Sequence, residues 1–178
     1  SADGRGGVYF SDPGRFELDA RPRGRIMYLS ADGVRPPAAG PLRYPNGVHV
    51  AGQTLFVSEH LGGRVLRYAI EAPGRLGRGE TFVDLKRLQR PPRYQSAYAL
   101  SGPDGLETGP DGTLYVALYG EGRLLGFSPQ GQLSDTIEAG PRFVTNVAFG
   151  APGMAITGAF DNTPAGARGE VRVQARPH

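Results

Sequence analysis

The 178-residue sequence contains no cysteine and no tryptophan. Without cysteine there are no disulfides, no thiolate metal centres and no cysteine nucleophile, and the compartment stays open, with the cytoplasm as the default. Lysine is nearly absent: Lys86 stands alone, and the other 19 basic residues are arginines. These arginines are scattered singly among 17 acidic residues, for a net charge of +3. A pI near 9.4 therefore does not imply a nucleic-acid partner, because a phosphate-binding surface needs a basic stripe or cluster. No apolar run approaches the ~20 residues of a membrane-spanning helix. A 3.6-residue apolar period is also missing, so almost no helix is expected.

Glycine and proline are abundant, at 28 and 16 residues. Together they make about a quarter of the chain, where low complexity or disorder begins to be a concern. They are, however, placed between short apolar segments, which is the pattern of strands and turns. Val8-Tyr9-Phe10, Leu55-Phe56-Val57, Leu114-Tyr115-Val116 and Met154-Ala155-Ile156 each follow a glycine-containing turn. Each leads into a second strand opened by glycine and a polar residue, at Gly24-Arg25, Gly63-Arg64, Gly122-Arg123 and Gly169-Glu170. This repeat of roughly 40–50 residues matches a four-stranded propeller blade. The second repeat divides into strands 46–50, 54–58, 64–70 and 81–85. The first repeat starts at its second strand and the last ends after its third. An all-β, propeller-type domain of about three and a half blades is therefore expected over residues 1–178, with the rest of the ring, including an N-terminal part, outside the chain.

Three segments read as innermost strands: Pro45-Asn46-Gly47-Val48, Pro103-Asp104-Gly105-Leu106 and Val144-Thr145-Asn146-Val147. Their alignment makes Asn46, Asp104 and Thr145 equivalent. An amide carbonyl, a carboxylate and a hydroxyl on one axis suit a hard cation. Asn-Gly and Asp-Gly are also ordinary turn dipeptides whose side chains bond their own backbone.

These segments, with Thr54-Leu55-Phe56-Val57-Ser58-Glu59, Asp111-Gly112-Thr113-Leu114-Tyr115-Val116, Val8-Tyr9-Phe10-Ser11-Asp12-Pro13 and Ala148-Phe149-Gly150, resemble the SMP-30/gluconolactonase/luciferin-regenerating-enzyme family. The resemblance implies a six-bladed propeller with a Ca²⁺ or other divalent cation in its channel. It implies a hydrolase that opens a small-molecule sugar lactone or related ester. It maps two metal ligands onto Asn46 and Asp104 and makes Asp104 the base or nucleophile, with Thr145 as a substrate contact. The family's further Glu and Asn positions would precede Ser1. A non-catalytic propeller used for binding or scaffolding, or an inactive fragment of the enzyme, is the alternative. Oligomeric state is not legible.

Other polar residues receive plainer readings. His49, three residues after Asn46, is expected to point away from it and to fill a polar inter-blade position. His60 is expected at the surface, and Glu59 and Glu121 as solvated turn residues. Asp12 is either a turn former or a mouth residue. The insertion Lys86–Leu100 reads as a surface loop, with a lid beside Asp104 as the alternative.

Overall fold

A computed structural model describes residues 1–88, 100–151, 153–161, 166 and 168–175. Most of the Lys86–Leu100 insertion lies outside these residues, so neither reading of it is addressed. Among the described residues there is no helix, and all regular structure is β. The chain forms two compact units, Ser1–Arg87 and Leu88–His178.

The first unit holds two antiparallel sheets. In one, β1 (Val8–Asp12) pairs with β2 (Gly24–Ser30), which also pairs with β3 (Gly33–Val34) and β4 (Ala39–Leu42). In the other, β5 (Pro45–Ala51), β6 (Thr54–Glu59) and β7 (Arg64–Ala72) run in order, and β7 pairs further with β8 (Arg75–Leu76) and β9 (Glu80–Asp84). The second unit repeats the plan. One sheet has the order β10 (Gly102–Thr108), β11 (Leu114–Tyr119), β12 (Arg123–Phe127), β13 (Leu133–Glu138). The last contains β14 (Phe143–Gly150), β15 (Gly153–Ala159) and β16 (Gly169–Gln174). Four successive meander sheets with these boundaries reproduce the expected blades. The two-residue strands β3 and β8 are additions, formed where hairpin tips extend past the main ladder.

Period-2 patterning builds the cores. In β2, Gly24, Ile26 and Tyr28 are buried and their neighbours are more exposed. Tyr9, Ile26, Tyr28 and Leu42 pack with Leu55, Val57, Leu66 and Tyr68 as the core of the first unit. The second unit packs Tyr115, Ala117 and Leu124 with Val144, Val147, Met154 and Ile156. Each fully buried side chain of Leu or Val size contributes about 1.5–3 kcal/mol. β12 is buried at all five positions, Arg123 included, so its period-2 alternation of burial is lost. The turn from β10 to β11 is closed by Asp111, whose carboxylate accepts the Thr113 N–H at 3.1 Å and hydroxyl at 2.7 Å. Gly112 adopts the positive φ of +86° that this turn requires.

Candidate functional site

The three innermost strands share one irregularity. In β5, Pro45 pairs with Glu59 and Val48 with Val57, so Asn46 and Gly47 oppose the single residue Ser58. In β10, Pro103 pairs with Leu118 and Leu106 with Val116, so Asp104 and Gly105 oppose Ala117. In β14, Val144 and Asn146 pair with the adjacent Gly158 and Thr157, leaving Thr145 as the extra residue. Asn46, Asp104 and Thr145 therefore all sit in β-bulges, each one residue long. A bulge interrupts the ladder and re-aims a side chain, which is why bulges gather beside functional sites. It also breaks the alternation used for His49. His49 is buried, yet its direction relative to Asn46 does not follow from counting residues across the bulge.

Asn46 belongs to the first unit, and Asp104 and Thr145 to the second. Within the second unit the two bulged strands lie against each other. A Cβ added at Gly105 would overlap the Asn146 Oδ1 and the Thr145 carbonyl oxygen. Glycine is thus required beside Asp104 so that β14 can approach. The Thr145 hydroxyl meets the Thr157 hydroxyl at 2.9 Å. Asp104 is largely shielded from water, and burial pushes its carboxyl up from 3.8 to about 7, with the Gly105 N–H pulling weakly the other way. No basic side chain pairs with it among the described residues. A desolvated carboxylate without a cationic partner is costly, and an oxygen-loving cation would offset that cost. In the first unit, the Ser11 hydroxyl donates to the Asn46 carbonyl oxygen at 2.8 Å. Ser58, opposite the bulge, is fully buried, and its Oγ has no hydrogen-bond partner among the described residues. Buried hydroxyls are normally satisfied, so Ser58 is an exception opposite the Asn46 bulge. Within the second unit, Asp104 and Thr145 offer a carboxylate and a hydroxyl, oxygen donors of the kind a hard cation takes. No group of three His, Cys, Asp or Glu side chains able to hold a metal occurs among the described residues.

Two residues set aside as solvated prove to be buried. Glu59 is 2% exposed and forms an ion pair with Arg64 at 2.5 Å. Its other oxygen accepts the backbone N–H of Arg43 at 2.7 Å. The Glu121 side chain is 3% exposed, pairs with Arg123 at 2.6 Å and accepts the Ser101 hydroxyl at 2.6 Å. Arg43 precedes Asn46 by three residues, and Ser101 precedes Asp104 by three. In both units a buried carboxylate at the end of the second strand therefore holds the chain entering the bulge. Each Glu is followed by glycine and then arginine, at Glu59…Gly62-Gly63-Arg64 and Glu121-Gly122-Arg123. The spacing differs, but that shared order of Glu, Gly and Arg was the available signal.

His60 is also buried, not at the surface as expected. Its ring lies 5.5 Å from Phe16 and 6.0 Å from Tyr44, centroid to centroid, and the His60 backbone N–H donates to the Tyr44 carbonyl oxygen at 3.0 Å. Tyr44, two residues before Asn46, has a positive φ of 54°, a sparsely populated state for a bulky residue. Asp12 pairs with Arg25 at 2.8 Å and is half-exposed.

Bulged inner strands in successive antiparallel sheets of three to five strands define an all-β chain of propeller type, and sequence comparison supplies its family. Residues 1–158 match the family described as SMP-30/Gluconolactonase/LRE-like region, and the chain belongs to that family. A lactonase, drp35, from Staphylococcus aureus is 31% identical over 133 residues, which cover 72% of this chain and 37% of the relative. Among solved structures, a luciferin-regenerating enzyme superposes with a TM-score of 0.73 at 20% identity, covering 99% of this chain and 64% of the other. Regucalcin from Agrobacterium tumefaciens, described as a calcium-binding protein, gives 0.70 at 21% identity over 85% of this chain and 49% of its own. A gluconolactonase from Xanthomonas campestris gives 0.63 at 24% identity, covering 85% and 50%. The matched part of the chain thus spans between about a third and two thirds of these longer relatives, and the structural likenesses establish the fold.

Proposed function

We propose that the chain contributes Asn46 and Asp104 to the divalent-cation site of a lactonase-type hydrolase built on a six-bladed ring. The observation that carries this reading is Asp104: a desolvated carboxylate, placed in a bulge, with no cationic partner among the described residues. Family membership and the lactonase relative support the activity, and the calcium-binding neighbour supports the cation. Asn46 would offer its amide oxygen and Asp104 its carboxylate. When bound, Ca²⁺ supplies Lewis acidity for a lactone carbonyl and for the oxyanion that develops on it.

The chain's own residues perform the remaining tasks. Asp104 accepts the proton of the attacking water. Burial helps here, because a carboxyl raised to about 7 is a far stronger base than an ordinary carboxylate. Cation binding lowers that basicity, so ligand and base roles compete at the same group. Direct attack by Asp104 on the carbonyl is the second route to the same product. Thr145 would hydrogen-bond a substrate oxygen while sharing its hydroxyl with Thr157. Glu59 holds the Arg43 backbone N–H and Glu121 the Ser101 hydroxyl, so both act on the entering segments.

The test is hydrolysis of δ-gluconolactone followed by pH-stat, with Ca²⁺ and with chelator. Turnover should require the cation and fall by at least about 10³-fold in Asp104→Asn, the scale of losing a principal catalytic group. Full activity in Asp104→Asn would sink the mechanism. A chain that neither binds Ca²⁺ nor turns over any lactone would favour the binding-module reading.

A further inference from the structure

The first unit contains a cleft of about 510 Å³ at the strand ends that carry Asn46. Its floor and rim come from the loop between β1 and β2 and from the segment 42–44 that enters β5. Both walls are tied to Asn46. Pro13 lies two residues beyond Ser11, whose hydroxyl holds the Asn46 carbonyl, and Tyr44 lies two residues before Asn46 itself.

Four guanidiniums line this cleft: Arg15, Arg21, Arg23 and Arg43. Glu17 is the single acid among the lining residues, and it is paired with Arg15 at 3.5 Å. Arg43 spends one nitrogen on the Leu18 carbonyl oxygen, which fastens the loop to β5's entry segment. Arg21 and Arg23 have no ion-pair partner among the described residues. Four arginines against Glu17 and the neighbouring Asp19 of the same loop leave a net positive charge around the concavity. Guanidiniums present planar donor pairs matched to carboxylate and phosphate oxygens.

We propose that this cleft binds a small oxyanion, a carboxylate or phosphate group carried by the substrate or by the hydroxy acid that lactone opening releases. The link to substrate and product rests on the lactonase reading; the anion site itself does not. A ring-opened lactone always carries a new carboxylate, and a cationic concavity next to Asn46 would receive it. The same charge would favour lactones that already bear an acidic group over neutral ones. Tyr44, lining the cleft in its left-handed backbone conformation, connects occupancy of the cleft to the strand bearing Asn46.

Thermal melts in chelator test the site without reference to the cation. The probes are D-gluconate, inorganic phosphate and the neutral polyol D-glucitol. At roughly ten times its Kd, gluconate or phosphate should raise Tm by about 3–5 °C, and the larger shift identifies the preferred oxyanion. Glucitol should do nothing. The double variant Arg21→Ala/Arg23→Ala, both exposed positions, should keep the melting temperature of the unliganded protein and weaken anion binding about tenfold. Half-molar NaCl should weaken it as well, since exposed charges are screened. No shift with either anion, an equal shift with glucitol, or a shift of undiminished size in the double variant overturns the proposal. Absence of lactone turnover beside an intact anion effect would refute the lactonase reading and leave the anion site standing.

Discussion

The sharpest test of the site is the stability of Asp104→Asn as a function of pH. Burial raises the folded-state carboxyl of Asp104 from 3.8 to about 7, so the folded chain prefers it protonated. Stability from this group is then complete below the unfolded value and is lost as pH climbs towards 7. Asparagine has the same shape and no charge to desolvate. Each pH unit of displacement is ~1.4 kcal/mol, which puts a ceiling of about 4 kcal/mol on the effect. Screening reduces this to about 2 kcal/mol, since effective dielectric constants near 20 describe even buried positions best. In chelator at pH 8 the variant should therefore melt about 4–8 °C above the parent, and the two curves should converge near pH 4. Taking the difference cancels contributions that both proteins share, including Asp111, whose carboxyl its Thr113 hydrogen bonds hold low. Added Ca²⁺ should reverse the order, raising the parent and leaving the variant unmoved. If Asp104→Asn melts lower than the parent at pH 8 in chelator, the carboxylate is already paired in the fold and the argument fails. Equal stabilisation of both proteins by Ca²⁺ would remove Asp104 from the ligand set.

Glu121→Gln should destabilise by about 3–5 kcal/mol in urea titrations, because it leaves Arg123 buried without its counter-charge. Ser101→Ala removes only the hydroxyl held by Glu121 and should cost about 1 kcal/mol; a loss as large as that of Glu121→Gln would show that the ion pair depends on the serine. Gly105→Ala should cost at least about 1–3 kcal/mol, since the new methyl meets the Thr145 carbonyl and Asn146; a neutral result would mean that β14 yields freely there.

The blades were legible because they depend on local chemistry. Glycine-bounded segments such as Leu114-Tyr115-Val116 alternate or run apolar, and that pattern specifies strands wherever a core is available to cover them. The candidate site residues stood out for a similar reason: Pro45-Asn46-Gly47 and Pro103-Asp104-Gly105 are distinctive triplets at matching places in a repeat. The family followed from those triplets and their order, and residues 1–158 bear it out.

What only the tertiary structure decided is the environment of each polar group. A bulge adds one residue without changing composition, so the pattern around Asn46 looks like a plain strand until its register with β6 is known. Glu59 and Glu121 pair with arginines only a few residues on, but their burial also depends on the chain passing over them from 43 and 101, contacts set by the sheet. His60 is enclosed because Phe16 and Tyr44, distant from it along the chain, converge on its ring. The arginines of the first loop look evenly spread in the sequence, and only folding gathers Arg43 with Arg15, Arg21 and Arg23 around one cleft. Local pattern determines where a strand runs; the charge state and partner of a side chain depend on long-range geometry, because desolvation and Coulomb energies are set by what folding brings within a few ångströms.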